Sequence, residues 1–310
     1  MLRYFFSISF IIFLAFAVYV STYYKSGINT LRGNPNNDTI SYKIITDDLS
    51  QRKDYFTWIG QATILLNIDD KTILFDPIFS ERASPLKNIG PKRNIPPAIS
   101  IENLPEVDLI VISHNHYDHL DLQALKEIQN KYPLVNIFVP KGDLKLLKNI
   151  GLENINEFEW WENQSIFNFS VTFVPTKHWS ARGLFDRNKS LWGGWHIKDK
   201  DYSMYHAGDT GYSRDFIDTK LRLGSPKYAF IPIGAYDPEW FMSSSHVNPE
   251  DAVQIMIDLE AEKAFGMHWA TFVLTDEDTI DPKLRLNKAL KDFNNLDFMP
   301  LSPGQIIRID

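Results

Sequence analysis

The sequence predicts an α+β protein in which two β-sheets lie against each other with helices on their outer faces, preceded by a hydrophobic helix. Three observations carry this reading. Short apolar runs of strand length fall into two groups, one in each half of the chain, with helical segments between them. Several of these runs end abruptly on His or Asp, as expected where loops build a site on a rigid scaffold. Residues 4–20, YFFSISFIIFLAFAVYV, carry no charge.

The bulk composition narrows the function. With 44% hydrophobic and 23% charged residues the 310-residue chain is globular, as one large domain or two modest ones. A net charge of -7 argues against nucleic acid as a partner. The absence of Cys excludes disulfides, thiolate catalysis and cysteine metal ligands. Aromatic residues reach 14%, enough to fill a core, line an apolar pocket or sit at a membrane interface.

Residues 1–24 read as a membrane anchor, in preference to a cleaved signal peptide or a buried core helix. As a helix, residues 4–20 would span roughly 25 Å, near the lower limit for crossing a bilayer. Ala15-Phe16-Ala17 offers a small-x-small cleavage pattern, and Tyr19, Tyr23 and Tyr24 suit an interfacial belt. Arg3 inside would place the rest outside the cytoplasm; the few flanking charges leave the side of the membrane open. Residues 25–52 read as a linker, polar and turn-rich at residues 33–38. Residues 53–310 form the main domain.

Within it, Thr63–Ile68 and residues 72–75 flank Asp69-Asp70-Lys71 as a hairpin. Residues 109–113, LIVIS, read as a buried strand, 122–129 as a helix, 135–139 as a strand and 142–148 as a short helix. Strands are expected over 165–174, 192–197, 202–205 and 228–233. Asn248 is a good N-cap, Pro249 suits the first helical position, and Glu250 and Asp251 complement the helix dipole. A strand at 264–267, a helix at 282–293 and a closing strand at 305–309 complete the pattern.

Three of the eight His fall within six residues, in His114-x-His116-x-Asp118-His119, directly after LIVIS. If the chain stays extended, His114 and His116 share a face, and a turn then brings Asp118 and His119 back. Imidazole and carboxylate together suit zinc, manganese or iron. Four such groups exceed what one tetrahedral ion takes from one loop, which points to two adjacent ions. His178, Asp209 and His268 each follow a strand and are candidates for the remaining ligands. His196 and His206 lie inside strands and read as structural. Arg82, Lys92 and Arg93 read equally as phosphate partners or solvated surface, and Trp179, Trp192, Trp195, Trp240, Phe241 and Trp269 as pocket lining or core.

The ordered set of motifs is more selective than the His cluster alone. It runs through WIGQAT (58–63), FDPIFSERASP (75–85), GPKR (90–93), SHNHYDHLD (113–121), His178-Trp179, AGDTGY (207–212), IGAY (233–236), HVNPE (246–250) and His268-Trp269. From about Tyr55 to its end the chain resembles the metallo-β-lactamase superfamily. Within it, the chain is similar to the N-acylphosphatidylethanolamine-hydrolysing phospholipase D branch. The resemblance implies a four-layer αββα sandwich. It implies two zinc ions, with manganese or iron as alternatives, and a hydroxide between them as nucleophile. One ion would be held by His114, His116 and His178, the other by Asp118, His119 and His268, with Asp209 bridging. It also places His246 in the active site and Asp76 in support of the metal loop. Asp209, His246 and Asp118 are the expected catalytic residues. The expected substrate is a phospholipid, cleaved to phosphatidic acid and N-acylethanolamine at a membrane. A small phosphate ester or lactone, as in the ascorbate-6-phosphate lactonase-like branch, is the alternative. A membrane-tethered, non-catalytic metal-binding protein is the alternative of another class. The oligomeric state is open, with a homodimer among the options.

Overall fold

The structure is a computed structural model that describes residues 40–309. The expected anchor (1–24) and most of the linker (25–52) lie outside the described residues.

The first sheet holds β1 (Tyr55–Gly60), β2 (Thr63–Ile68), β3 (Lys71–Phe75), β4 (Leu109–Val111), β5 (Asn136–Pro140) and β6 (Ile155–Phe158), side by side in that order. Strands β1 to β3 run antiparallel and β3 to β6 parallel. Parallel neighbours need long crossovers. Helix α1 (Leu122–Lys131) lies between β4 and β5, and α2 (Leu144–Asn149) between β5 and β6.

The second sheet repeats this plan. Strands β7 (Asn163–Ile166), β8 (Phe169–Val174), β9 (Gly194–Lys198) and β10 (Ser203–His206) run antiparallel. Strands β11 (Tyr228–Pro232), β12 (Lys263–Met267) and β13 (Asp297–Pro300) then continue in parallel. The crossovers hold α3 (Asp215–Leu223), then α4 (Glu239–Met242) with α5 (Pro249–Leu259), then α6 (Asp281–Ala289). The last strand, β14 (Ile306–Arg308), returns to pair antiparallel with β1 at the edge of the first sheet. The two halves thus share one topology although no repeat is visible in their residues.

Strand β4 shows why the layers form. Its run is apolar at every position because both of its faces are covered. Leu109 and Val111 join the core between the sheets, whereas Ile110 and Ile112 join the cluster that holds Leu125, Ile128 and Leu147 of the helices. Across the sandwich, the Phe56 ring lies 4.9 Å from Phe230 and 4.6 Å from Phe265. Trp195 is fully buried, and its indole N–H donates to the Ile112 carbonyl at 2.9 Å, tying β9 to the exit of β4. Trp195→Ala removes both packing and this bond and should lower unfolding free energy by about 3–5 kcal/mol, read from the denaturant midpoint. A loss under about 1 kcal/mol would show that this inter-sheet contact is not a core element.

The predicted helix starts are present. Asp121 caps α1, one oxygen accepting from the Gln123 and Ala124 amides at 3.1 Å each. Its other oxygen accepts from the Phe79 and Ser80 amides. Asn248 accepts from the Asp251 amide at 2.8 Å and Pro249 opens α5.

Three expectations are corrected. Residues 165–174 form a hairpin rather than one strand, because Phe167 takes a left-handed φ of 56° between β7 and β8. The helix expected at 282–293 ends at Ala289 and closes in a 3-10 turn, Leu290–Asp292. Residues 40–52, assigned to the linker, pack on the domain. Ile45 and Leu49 are buried, and the Ile45 and Lys43 amides donate to the Ala98 and Pro303 carbonyls. Among the described residues no helix is long and apolar enough to cross a membrane.

Candidate metal centre

The His cluster hangs from the end of β4. After Ser113 the chain turns, with the His119 and Leu120 amides donating to the His116 carbonyl, and the turn brings Asp118 and His119 back beside His114. The second sheet delivers the rest. His178 follows β8, Asp209 follows β10, His246 lies between α4 and α5, and His268 follows β12. Gly208 permits the Asp209 turn. It has φ +60°, and a Cβ there would lie 2.6 Å from Ser113 Cβ, so the turn packs directly on the loop from the first sheet.

All eight residues predicted for the site come together, in three groups that could hold a metal ion. These are His114, His116 and His178; Asp118, His119, Asp209 and His268; and His178, Asp209 and His246. In the first, His116 Nδ1 lies 2.9 Å from His114 Nε2 and 3.2 Å from His178 Nε2. In the second, His119 Nε2 lies 3.1 Å from Asp209 Oδ2 and 3.5 Å from Asp118 Oδ2, and His268 Nε2 lies 3.1 Å from Asp209 Oδ1 and 3.2 Å from Asp118 Oδ2. Ligands about 2.05 Å from a tetrahedral zinc are about 3.3 Å apart, so these spacings suit such an ion. Asp209 Oδ2 is also 3.9 Å from both His114 Nε2 and His178 Nε2, which puts its carboxylate between the two groups.

The outer hydrogen bonds select the tautomers a metal needs. His178 Nδ1 donates to the Ser245 carbonyl at 2.9 Å and His119 Nδ1 to Asp76 Oδ2 at 2.8 Å, so that in the neutral form of each ring Nε2 is the acceptor. Ser113 Oγ gives its proton to Asp76 Oδ2, so His114 Nδ1 donates to it and His114 Nε2 is bare too. Several bare nitrogens thus face one another, and His119 Nε2 and Asp209 Oδ1 are buried with no hydrogen-bond partner. The donor set fits a cation.

Electrostatics divide the cluster. Burial lowers His114 and His178 well below the ordinary imidazole range and brings His116 and His246 to about 4. Burial also opposes charge on His119 and His268, but Asp209 and Asp118 outweigh it; His119 is held well above its usual value and His268 at about 9. Against their own burial, His119 and His268 in turn hold Asp118 and Asp209 well below the carboxylate range. His119 and His268 must therefore shed protons to accept a metal. Metal uptake should release protons, and affinity should rise as pH climbs toward about 9. Chelator competition at two pH values, with proton release read in weakly buffered solution, checks this; affinity that falls with rising pH would contradict it.

Gln61, between β1 and β2, belongs to the site but has no signal in its own residue type. Its amide donates to Asp118 Oδ2 at 2.8 Å and lies 2.7 Å from His268 Nε2. Its carbonyl accepts from the His268 amide and the Trp58 indole. His246 Nδ1 is 3.9 Å from Asp209 Oδ2 and has no hydrogen-bond partner. His206 is structural, contacting the Ala62 carbonyl and stacking on Phe75. The aromatic residues divide: Trp195 and Trp269 are core, Trp179 packs 4.2 Å from His116, and Trp240 and Phe241 are exposed. The three early cations hold structure. Arg93 is buried and donates to the Ile78 and Ser80 carbonyls, Arg82 donates to the Gly90 carbonyl, and Lys92 pairs with Glu81.

Residues 71–269 match the family described as the Beta-lactamase superfamily domain. The chain belongs to the metallo-β-lactamase superfamily. Two curated relatives place it more closely within that superfamily. The N-acyl-phosphatidylethanolamine-hydrolyzing phospholipase D 1 of Caenorhabditis elegans is 36% identical over 280 residues, covering 86% of this chain and 79% of that protein. The mitochondrial N-acyl-phosphatidylethanolamine-hydrolyzing phospholipase D of Saccharomyces cerevisiae is 41% identical over 241 residues, covering 75% of this chain and about half (51%) of the yeast protein. Igni18, a metallo hydrolase of Ignicoccus hospitalis, has the same metallo-β-lactamase fold, with a TM-score of 0.61 over 83% of this chain and 98% of its own at 21% identity. The chain is a metal-dependent hydrolase of the metallo-β-lactamase fold.

Proposed function

We propose that the chain is a dinuclear zinc phosphodiesterase that hydrolyses N-acylphosphatidylethanolamine, or a related phospholipid, to phosphatidic acid and an N-acylethanolamine. The observation that carries the two-ion reading is the placement of Asp209, whose carboxylate lies between two separate ligand groups. His114, His116 and His178 would hold one ion, and Asp118, His119 and His268 the other. Such a pair activates water near neutral pH and offsets charge on the oxygens at phosphorus.

The chain's own residues supply orientation. Asp209 balances the charge between the two groups. Gln61 steadies Asp118 and His268. His246, partly buried and neutral, has an unpartnered Nδ1 aimed toward Asp209 and suits a hydrogen bond to a phosphoryl oxygen or the leaving group. Two further features support a lipid. A cavity of about 920 Å³ opens beside Tyr117 of the metal loop; Ile78, Phe79, Leu86, Ile101 and Leu120 form its apolar part, and charged groups including Arg82, Arg182 and Asp186 the rest. Leu184 and Phe185, on the loop after His178, and Trp240 and Phe241, in α4 just before His246, are exposed. Residues 4–20 would hold the enzyme at the membrane that contains its substrate.

Elemental analysis of the purified protein should find about two metal ions per chain; one or none contradicts the dinuclear reading. The deciding experiment is incubation of the zinc- and manganese-loaded protein with N-acylphosphatidylethanolamine, followed by mass spectrometry. Release of N-acylethanolamine with phosphatidic acid supports the assignment. Turnover of a lactone or small phosphate ester without the phospholipid would move it to the lactonase-like branch. Metal-replete protein inert toward all of these would favour the non-catalytic reading.

A further inference from the structure

The outer face of the second sheet is not uniform. Inward, Val171, Phe173, Trp195 and Ile197 of β8 and β9 enter the core. Outward, the same strands present polar groups in two cross-strand rows. One row is Asn163, Thr172 and His196; the next holds Ser170 and Lys198. The corresponding face of the first sheet lies under helices with an apolar cluster, so a polar stripe here has no packing explanation. The end of α3 borders it, forming an open cavity of about 260 Å³ whose remaining walls are Trp161, Arg222 and Leu223.

Two cations line this cavity and no carboxylate does, in a chain of net charge -7. Neither Lys198 nor Arg222 has a salt bridge among the described residues; Arg222 is held 4.2 Å over the Trp161 ring. His196, 2% exposed, has Nε2 without a hydrogen-bond partner. A buried polar atom left in that state is costly unless something meets it. Asn163 already donates to the Ser170 and Thr172 hydroxyls, which orients the side chains on the floor. Burial, then Lys198, lowers His196 to about 4, so at neutral pH the ring brings a hydrogen bond and not a third charge.

We propose that this cavity binds a phosphate-class oxyanion, with Lys198 and Arg222 matching its charge and His196, Ser170 and Thr172 its oxygens. None of its lining residues belongs to the metal centre, so the site is a second one. Its ligand would be either free phosphate or the phosphomonoester headgroup of a lipid such as phosphatidic acid.

The test compares the full-length wild type with a Lys198→Glu, Arg222→Glu double variant; both side chains are exposed, so the fold and the metal centre should be retained. Inorganic phosphate is titrated by calorimetry into the metal-loaded proteins. In parallel, both are sedimented with phosphatidylcholine vesicles, with and without phosphatidic acid. Residues 4–20 are common to both proteins, so only the difference between them is read. A phosphate-binding component present in the wild type and at least about tenfold weaker in the variant identifies free phosphate as the ligand. A phosphatidic-acid-dependent gain in sedimentation, lost in the variant without such a component, identifies the headgroup. Indistinguishable behaviour of the two proteins in both arms overturns the proposal.

Discussion

Replacing Asp209 with Asn should lower turnover about a thousandfold or more while leaving the protein folded. The Asp209 carboxylate reaches both ligand groups, through Oδ2 at 3.1 Å from His119 and 3.9 Å from His114 and His178, and through Oδ1 at 3.1 Å from His268. The amide keeps the shape but loses the charge, and it turns an N–H toward nitrogens that have to be ligands. A loss of about 4 kcal/mol in transition-state stabilisation corresponds to that factor. Buried histidines can shed their protons, so the charge removed does not strand a buried cation, and the structural cost stays small. Steady-state kinetics, elemental analysis and a thermal melt separate these effects. Near-normal turnover with a full metal complement would end the bridging assignment.

The second large effect is expected at Asp76, which touches no proposed ligand atom. Its Oδ1 accepts from the Ser113 amide at 2.7 Å, and its Oδ2 from the Ser113 hydroxyl at 2.6 Å and His119 Nδ1 at 2.8 Å. Asp76 is fully buried, so no water can replace these bonds. In Asp76→Asn one of the donors now faces an amide N–H. If that donor is His119, its proton moves to Nε2, the nitrogen that points at Asp209. Metal affinity should fall about ten- to a hundredfold, measured by competition with a chelator. Stability should drop by about 1–3 kcal/mol through the unmade bond. Unchanged affinity would show that the tautomer of His119 is set elsewhere.

The parts of this molecule legible in its sequence are those where one physical demand dominates. Residues 109–112 are apolar throughout because both faces of β4 are covered, and no turn residue interrupts them. The metal loop is legible because its ligand types are concentrated directly after an apolar strand. His178, Asp209 and His268 could be placed only after the loop was recognised, since a single polar residue after a strand is common.

The rest depended on contacts that no local pattern records. Helix α3 opens on Arg214, which makes no capping bond; the Asp215 amide is met instead by the Ser213 hydroxyl, one residue before the usual cap position, so its start lacks the usual signal. The β7–β8 turn uses Phe167 and Asn168 where Gly would have announced it. Gln61 enters the site through bonds to Asp118 and His268, far away in the chain. His196 and His206 look alike in sequence, each inside a strand, yet His206 has a backbone partner and a ring neighbour while His196 Nε2 has neither bond nor solvent.

The return of β14 to the first sheet sets an order on biosynthesis. Until Ile306–Arg308 has left the ribosome, residues 55–57 present an unpaired edge, and Phe56 and Trp58 lie on a sheet that is open to a second chain. The Gly304 amide, which donates to the Trp58 carbonyl, is made equally late. A translation product that stops short of these residues would contain every metal-binding side chain and still expose a strand edge prone to self-association. The cell would then hold a polypeptide with complete chemistry and an unsealed border, a substrate for chaperones and proteases before it is a catalyst.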